Sequence, residues 1–253
     1  MTPARRAAAG AAATLAGALA LGGCGGGSPR LEVAAAASLR QAFSQYARQL
    51  KGESVRFSFA GSDALAAQIE QGVHPDVFAS ANRQLPDMLY ARGLVSRPVI
   101  FAANRLVVAV PPGSRIRGLA ALQRPGVTIA AGAATVPVGA YAARALARLP
   151  PAQRGAILAN IHDREPDVTG IVGKLLEGAV DAGLLYATDV RAMSGRLDAI
   201  PLPPRLQPEI AYEAAVVRGA AHPAQARAFI SGLLRGAGRA DLLREGFLPP
   251  PVR

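Results

Sequence analysis

Leu31-Glu32-Val33-Ala34-Ala35-Ala36-Ala37-Ser38-Leu39 is the stretch that decides the fold. Its first five residues read as a short β-strand. Leu39, Ala42, Phe43, Tyr46 and Leu50 then fall on one face of a helix. Only small residues and a serine separate the two, so the chain turns from strand to helix without a long loop. The unit repeats. Residues 55–59 form a strand and Leu65, Ala66 and Ile69 mark the next helix, then residues 76–80 are followed by Leu85, Met88 and Leu89. Strand–helix alternation at this spacing predicts an α/β fold, with a mostly parallel sheet flanked by helices.

Further along, residues 99–101 and 106–110 are β-rich and end in Pro111-Pro112-Gly113, a breaker cluster that reads as a crossing between lobes. A second α/β stretch follows, with strands at 127–130 and 182–186 and helices marked by Ala142, Leu146, Ile171 and Leu175. Pro201-Leu202-Pro203-Pro204 reads as the return crossing, before a strand at 212–217 and a helix through Phe229 and Leu233. The predicted organisation is a discontinuous first lobe, residues 31–108 and 202–253, with a second lobe, 109–201, inserted in it.

The start of the chain speaks for export. Arg5-Arg6 precede an apolar run over residues 7–21, the length of a signal-peptide core and shorter than a membrane span. Leu21-Gly22-Gly23-Cys24 looks like a bacterial lipobox. It predicts cleavage after residue 23, lipidation of Cys24 and a flexible tether over 24–30 that holds the protein at the outer face of the cytoplasmic membrane. Cys24 is the only cysteine, so no disulfide can form within the chain.

With 51% hydrophobic and 18% charged residues, the chain is built to pack a core. The formal charge is +11, or about +9 once Arg5 and Arg6 leave with the leader, and a positive field favours anions. The arginines are scattered, with no basic block and no interleaved aromatics, which argues against a nucleic-acid partner. Enzyme signatures are missing too. His74, His162 and His222 belong to no metal motif, and there is no nucleophile elbow and no phosphate-binding loop. No cofactor and no catalytic residue are expected.

What recurs is a small or hydroxyl residue where a strand meets a helix. Ser38 opens the first helix, Ser62 the second, Thr135-Val136-Pro137-Val138-Gly139 another, and Asp167-Val168-Thr169 the one through Leu176. The first N–H groups of a helix lack internal partners and carry partial positive charge, so such starts suit anions. At any single junction plain N-capping is the simpler account. At Ala36-Ala37 and Ala60-Gly61, however, small residues leave the backbone open to close approach.

Several segments together resemble the periplasmic molybdate-binding proteins of molybdate ABC transporters. These are Ala34-Ala35-Ala36-Ala37-Ser38-Leu39, Phe59-Ala60-Gly61-Ser62, Pro75-Asp76-Val77-Phe78-Ala79-Ser80-Ala81, Asn104-Arg105-Leu106-Val107-Val108, Val136-Pro137-Val138-Gly139 and Leu185-Tyr186. They occur in the family's order from residue 31 to 247. The resemblance implies a two-lobed type II periplasmic binding protein with its ligand in the interlobe cleft. It implies a monomer that captures molybdate or tungstate and hands it to an ABC permease. The implied donors are the hydroxyl and N–H of Ser38 and Ser62, the N–H groups of Val138 and Val168, and the hydroxyl of Tyr186. On local grounds Tyr186 would instead be a core tyrosine satisfied nearby. Val138 replaces the family's usual Ala. Asp63 stands where a neutral residue is usual, and is expected to point away from the cleft. A different anion (sulfate, thiosulfate or an organic anion) is the alternative ligand, and an enzyme on the same scaffold is the more remote reading.

Overall fold

The computed structural model describes residues 30–52 and 54–251. Cys24, its leader and the tether up to Pro29 lie outside the described residues. In chain order the elements are β1 (Arg30–Ala36), α1 (Arg40–Gln49), β2 (Ser54–Ala60), α2 (Ser62–Glu70), β3 (Val77–Ser80), α3 (Gln84–Ala91) and β4 (Val99–Asn104). Then come β5 (Leu106–Val110), β6 (Ile129–Gly132), α4 (Pro137–Ala147), α5 (Pro151–Ala159), β7 (Ile161–Glu165) and α6 (Val168–Leu176). The chain closes with β8 (Ala182–Tyr186), α7 (Ala187–Ala192), β9 (Asp198–Pro201), β10 (Ile210–Val216), α8 (Pro223–Arg235) and α9 (Ala237–Arg244).

The strands form two five-stranded sheets, ordered β2-β1-β3-β10-β4 and β7-β6-β8-β5-β9. In the first, β1 runs parallel to β2 and β3, while β10 is antiparallel to both its neighbours. The second repeats this plan, with β6 parallel to β7 and β8 and β5 antiparallel to β8 and β9. In each sheet the antiparallel strand is the one by which the chain enters from the other lobe. The fold is therefore a two-lobed α/β architecture, each sheet mostly parallel and flanked by helices.

One boundary differs from the sequence expectation. The sequence pattern places residues 106–108 in the first lobe, yet β5 lies in the second sheet, so the chain crosses at Arg105. Pro111-Pro112-Gly113 is only the turn that ends β5, where proline has no N–H for the ladder and Gly113 takes a positive φ of 78°. The edge strands β7 and β9 are additions to the expected set. Every second residue of β7 is exposed, and His162, Asp163 and Arg164 hide its β character.

The central strands β3, β5, β8 and β10 are buried along their whole length, as strands covered by helices on both faces must be. Phe43 of α1 packs edge-on against Phe229 of α8 at 5.4 Å and tilted against Phe101 of β4 at 6.0 Å. This fixes the C-terminal helices to the first lobe. Gln45 and Gln49 of α1 add hydrogen bonds to Glu245 and Asp241 at 2.5 Å each. No helix among the described residues is long and apolar enough to cross a membrane.

Candidate functional site

Five parallel strand ends from the two sheets aim at one place. β1, β2, β6 and β7 each run into a helix start, and β8 ends on Tyr186. In open α/β sheets the crevice beyond the carboxyl ends of the strands is where ligands bind. There a cavity of about 20 Å³ lies between the lobes, lined among others by Ser38, Ser62, Val138, Val168 and Tyr186. The structure thus gathers around one space all five residues that the resemblance implies. Among the described residues lining it, none is Arg, Lys or His.

The local geometry distinguishes the uncapped helix starts from the capped one. The short 3-10 turn Ala37–Leu39 that opens α1 has no side-chain cap, and neither do the starts of α2 and α4. Ser62 is the first residue of α2, not its cap, and its hydroxyl accepts from the Ala81 N–H at 3.1 Å. With an acceptor position already filled, its proton is free to point into the cavity. The Ser38 hydroxyl pairs instead with Tyr212 at 2.9 Å. At α6 the cap is Asp167, whose carboxylate accepts from the Thr169 and Gly170 N–H groups and leaves that of Val168 uncapped.

Close backbone approach requires the small residues. A β-carbon on Gly61 would lie 2.5 Å from the Pro166 carbonyl of the opposite lobe. One on Gly139 would collide with the carbonyl oxygens of Ala133 and Gly132, so only glycine lets α4 start this near the end of β6.

Tyr186 is 1% exposed, and its hydroxyl has no hydrogen-bond partner among the described residues. The local expectation of a satisfied core tyrosine therefore fails. Its ring is wedged between Tyr212 at 5.9 Å and Tyr141 at 6.4 Å, which aims the hydroxyl rather than satisfying it. Burial pushes its pKa well above the ordinary tyrosine range, so the group keeps its proton as a donor.

Asp63 is where it was expected, and the place of Asp167 was not anticipated. Asp63 is absent from the cavity lining and packs over Gly61, whereas Asp167 lines it with its charge tied to the start of α6. A neighbouring cavity of about 170 Å³ shares Ser38 and Val168 and is also lined by Asp189, Met193 and Phe247. Burial, opposed by the hydrogen bond accepted from the Tyr186 N–H at 3.1 Å and aided by the nearby Asp167 charge, raises the Asp189 carboxyl to about 7. Sequence reasoning missed Asp189, Tyr212 and Thr188 altogether. Asn104 stood in one of the quoted motifs but had no role.

The family model for bacterial extracellular solute-binding proteins matches residues 31–248. The chain belongs to that family. Among relatives of this solute-binding protein, the molybdate-binding protein ModA of Mycobacterium tuberculosis is 35% identical over 231 residues, covering 88% of this chain and 86% of the relative. ModA of Escherichia coli K12 is 29% identical over 203 residues, or 75% of this chain and 78% of the relative. In shape it is similar to the Azotobacter vinelandii periplasmic molybdate-binding protein, with a TM-score of 0.76 at 22% identity over 87% of this chain and all of that one. The sulfate-binding protein SubI of M. tuberculosis has a TM-score of 0.77 at 17% identity, covering 87% of this chain and 86% of the other.

Proposed function

We propose that this solute-binding protein captures a tetrahedral metal oxyanion, molybdate or tungstate, between its lobes and delivers it to an ABC permease. The observation that carries this reading is the convergence of four helix starts, two serine hydroxyls and the Tyr186 hydroxyl on one cavity where, among the described residues, that hydroxyl has no partner and no cationic side chain lines the wall. The mycobacterial ModA relative supports the choice of anion. Ser38 and Ser62 hold the anion from the first lobe, and the N–H groups of Val138 and Val168 with the Tyr186 hydroxyl hold it from the second. The five donor groups suit a fully deprotonated dianion and offer no acceptor of their own to the proton of hydrogen phosphate.

The cavity has room for the centre of roughly one water-sized sphere. A tetrahedral oxyanion is larger, so the lobes part to admit it and close on it, with Arg105 and the 202–209 link as hinges. Lipidation at Cys24 would keep the protein at the outer face of the membrane, beside the permease, with the monomer as the working unit.

Sulfate is the competing ligand, because the sulfate-binding scaffold is as near in shape as the molybdate-binding one. Calorimetric titration with molybdate, tungstate and sulfate decides between them. Heat from either metal oxyanion with none from sulfate supports the proposal; heat from sulfate alone overturns it. Mass spectrometry of the membrane fraction tests the anchor, which an unmodified Cys24 still joined to its leader would refute.

A further inference from the structure

Three interlobe side chains, Asn104, Thr188 and Tyr212, lie outside the five-residue donor set. Asn104 is the last residue of β4, immediately before the crossing, and its Oδ1 accepts from the Arg105 N–H at 2.8 Å. A backbone N–H can only donate, so this contact settles which end of the amide is oxygen. Nδ2 therefore donates, to Thr188 Oγ1 of the other lobe at 2.8 Å and to Tyr212 Oη at 3.3 Å.

Tyr212 is 0% exposed, and its hydroxyl also lies 2.9 Å from Ser38 Oγ. A phenol has one proton. With Asn104 donating to it, Tyr212 must pass that proton to Ser38. If Ser38 donated instead, the phenol O–H would be buried without an acceptor, which a low-dielectric interior penalises. Burial, the largest effect, holds the Tyr212 pKa well above the ordinary tyrosine range, so the proton is always present.

We propose that Asn104 and Tyr212 are positioning residues. The chain from the Arg105 N–H through Asn104 and Tyr212 to Ser38 runs in one direction and turns the Ser38 proton into the cavity. This rests on reading that cavity as the oxyanion site. Ser62 offers an independent parallel, since the Ala81 N–H fills its acceptor side just as Tyr212 fills that of Ser38. Asn104 also donates to Thr188 of the second lobe, a side branch that anchors the amide without being a link of the chain.

Calorimetry at pH 8 with molybdate and with inorganic phosphate tests this in wild type, Tyr212→Phe, Ser38→Ala and the double variant. Tyr212→Phe keeps the ring but releases the Ser38 hydroxyl to turn either way. Molybdate affinity should fall about 3- to 10-fold, within the range of one hydrogen bond, and the preference for molybdate over phosphate should narrow. In the Ser38→Ala background the same change should do neither. An equal loss in both backgrounds, or an unchanged preference, would mean a packing role only and overturn the proposal. A wild type that takes up neither molybdate nor tungstate would overturn the oxyanion reading itself. Neutron diffraction on deuterated, ligand-free wild-type crystals locates the proton directly. A Tyr212 deuteron directed at Ser38 Oγ supports the chain, and a Ser38 deuteron directed at Tyr212 Oη refutes it.

Discussion

Gly61 of the first lobe and the Pro166 carbonyl of the second stand so close that no β-carbon fits between them. The lobes meet at this point beside the candidate site, and carbonyl oxygen is rigid backbone that cannot rotate aside. Gly61→Ala should therefore block full closure while leaving each lobe's core intact. Anion affinity should drop at least about tenfold, with the melting temperature of the ligand-free protein little changed. Calorimetry paired with solution scattering checks this; full affinity in the variant would show that closure does not need the contact.

Tyr186→Phe should move stability and binding in opposite directions. The hydroxyl is buried without a partner, so removing it should raise ligand-free stability by about 1 kcal/mol. The ring contacts with Tyr141 and Tyr212 survive the change. Molybdate affinity should nonetheless fall about 10- to 100-fold, the loss of one charge-assisted donor. Urea melts and titrations on the same preparation test both signs. A variant less stable than wild type would mean that the hydroxyl has a partner in solution.

Asp189 should make stability fall as pH rises from about 4 to about 7. Its carboxyl is raised by burial from 3.8 to about 7, so in that window the folded protein keeps a proton that the unfolded chain has released. The loss is complete above pH 7, with a ceiling of about 4 kcal/mol. Asp189→Asn keeps an acceptor for the Tyr186 N–H and removes the charge. It should flatten this stretch of the profile and be the more stable protein at pH 8. Above pH 7 the wild type should also bind dianions more weakly, because the new negative charge lies beside the site. Parallel pH profiles of the two proteins would sink the assignment.

Gly139→Ala should destabilise the second lobe by about 1–3 kcal/mol, the cost of overpacking against backbone that cannot yield. Any relief requires α4 to shift, which carries the Val138 N–H with it, so affinity should fall as well. Thermal melts and titration measure the two losses. Unchanged values would show that the turn between β6 and α4 gives more readily than its packing indicates.

Much of the site was legible before folding because its signals are local. A strand period giving way to a helix period across Ala-Ala-Ser or Ala-Gly-Ser marks a helix start within a few residues, and these two starts, with those at Val136-Pro137 and Asp167-Val168, line one cavity. The crossing was not legible. Residues 99–101 and 106–110 are two β-rich stretches before one breaker cluster, and only hydrogen bonding to β8 and β9 assigns Leu106–Val110 to the second sheet. Strand β7 escaped because an edge strand needs only one buried face. Tyr186 entered through family resemblance alone. Nothing near Leu185-Tyr186 reveals that its hydroxyl lacks a partner, since that depends on rings over 20 residues away in sequence.

The amino-acid sequence by itself determined the α/β class, the strand-to-helix junctions and the small residues that open them, because each follows from short-range periodicity and steric size. Only the tertiary structure decided which junctions meet across the cleft and that Asp167 rather than Asp63 lines it. It also brought Ser38, Tyr212 and Asn104 into one hydrogen-bonded chain. Those outcomes depend on hydrogen-bond partners 108 and 174 residues apart, brought together by two crossings of the chain between its sheets.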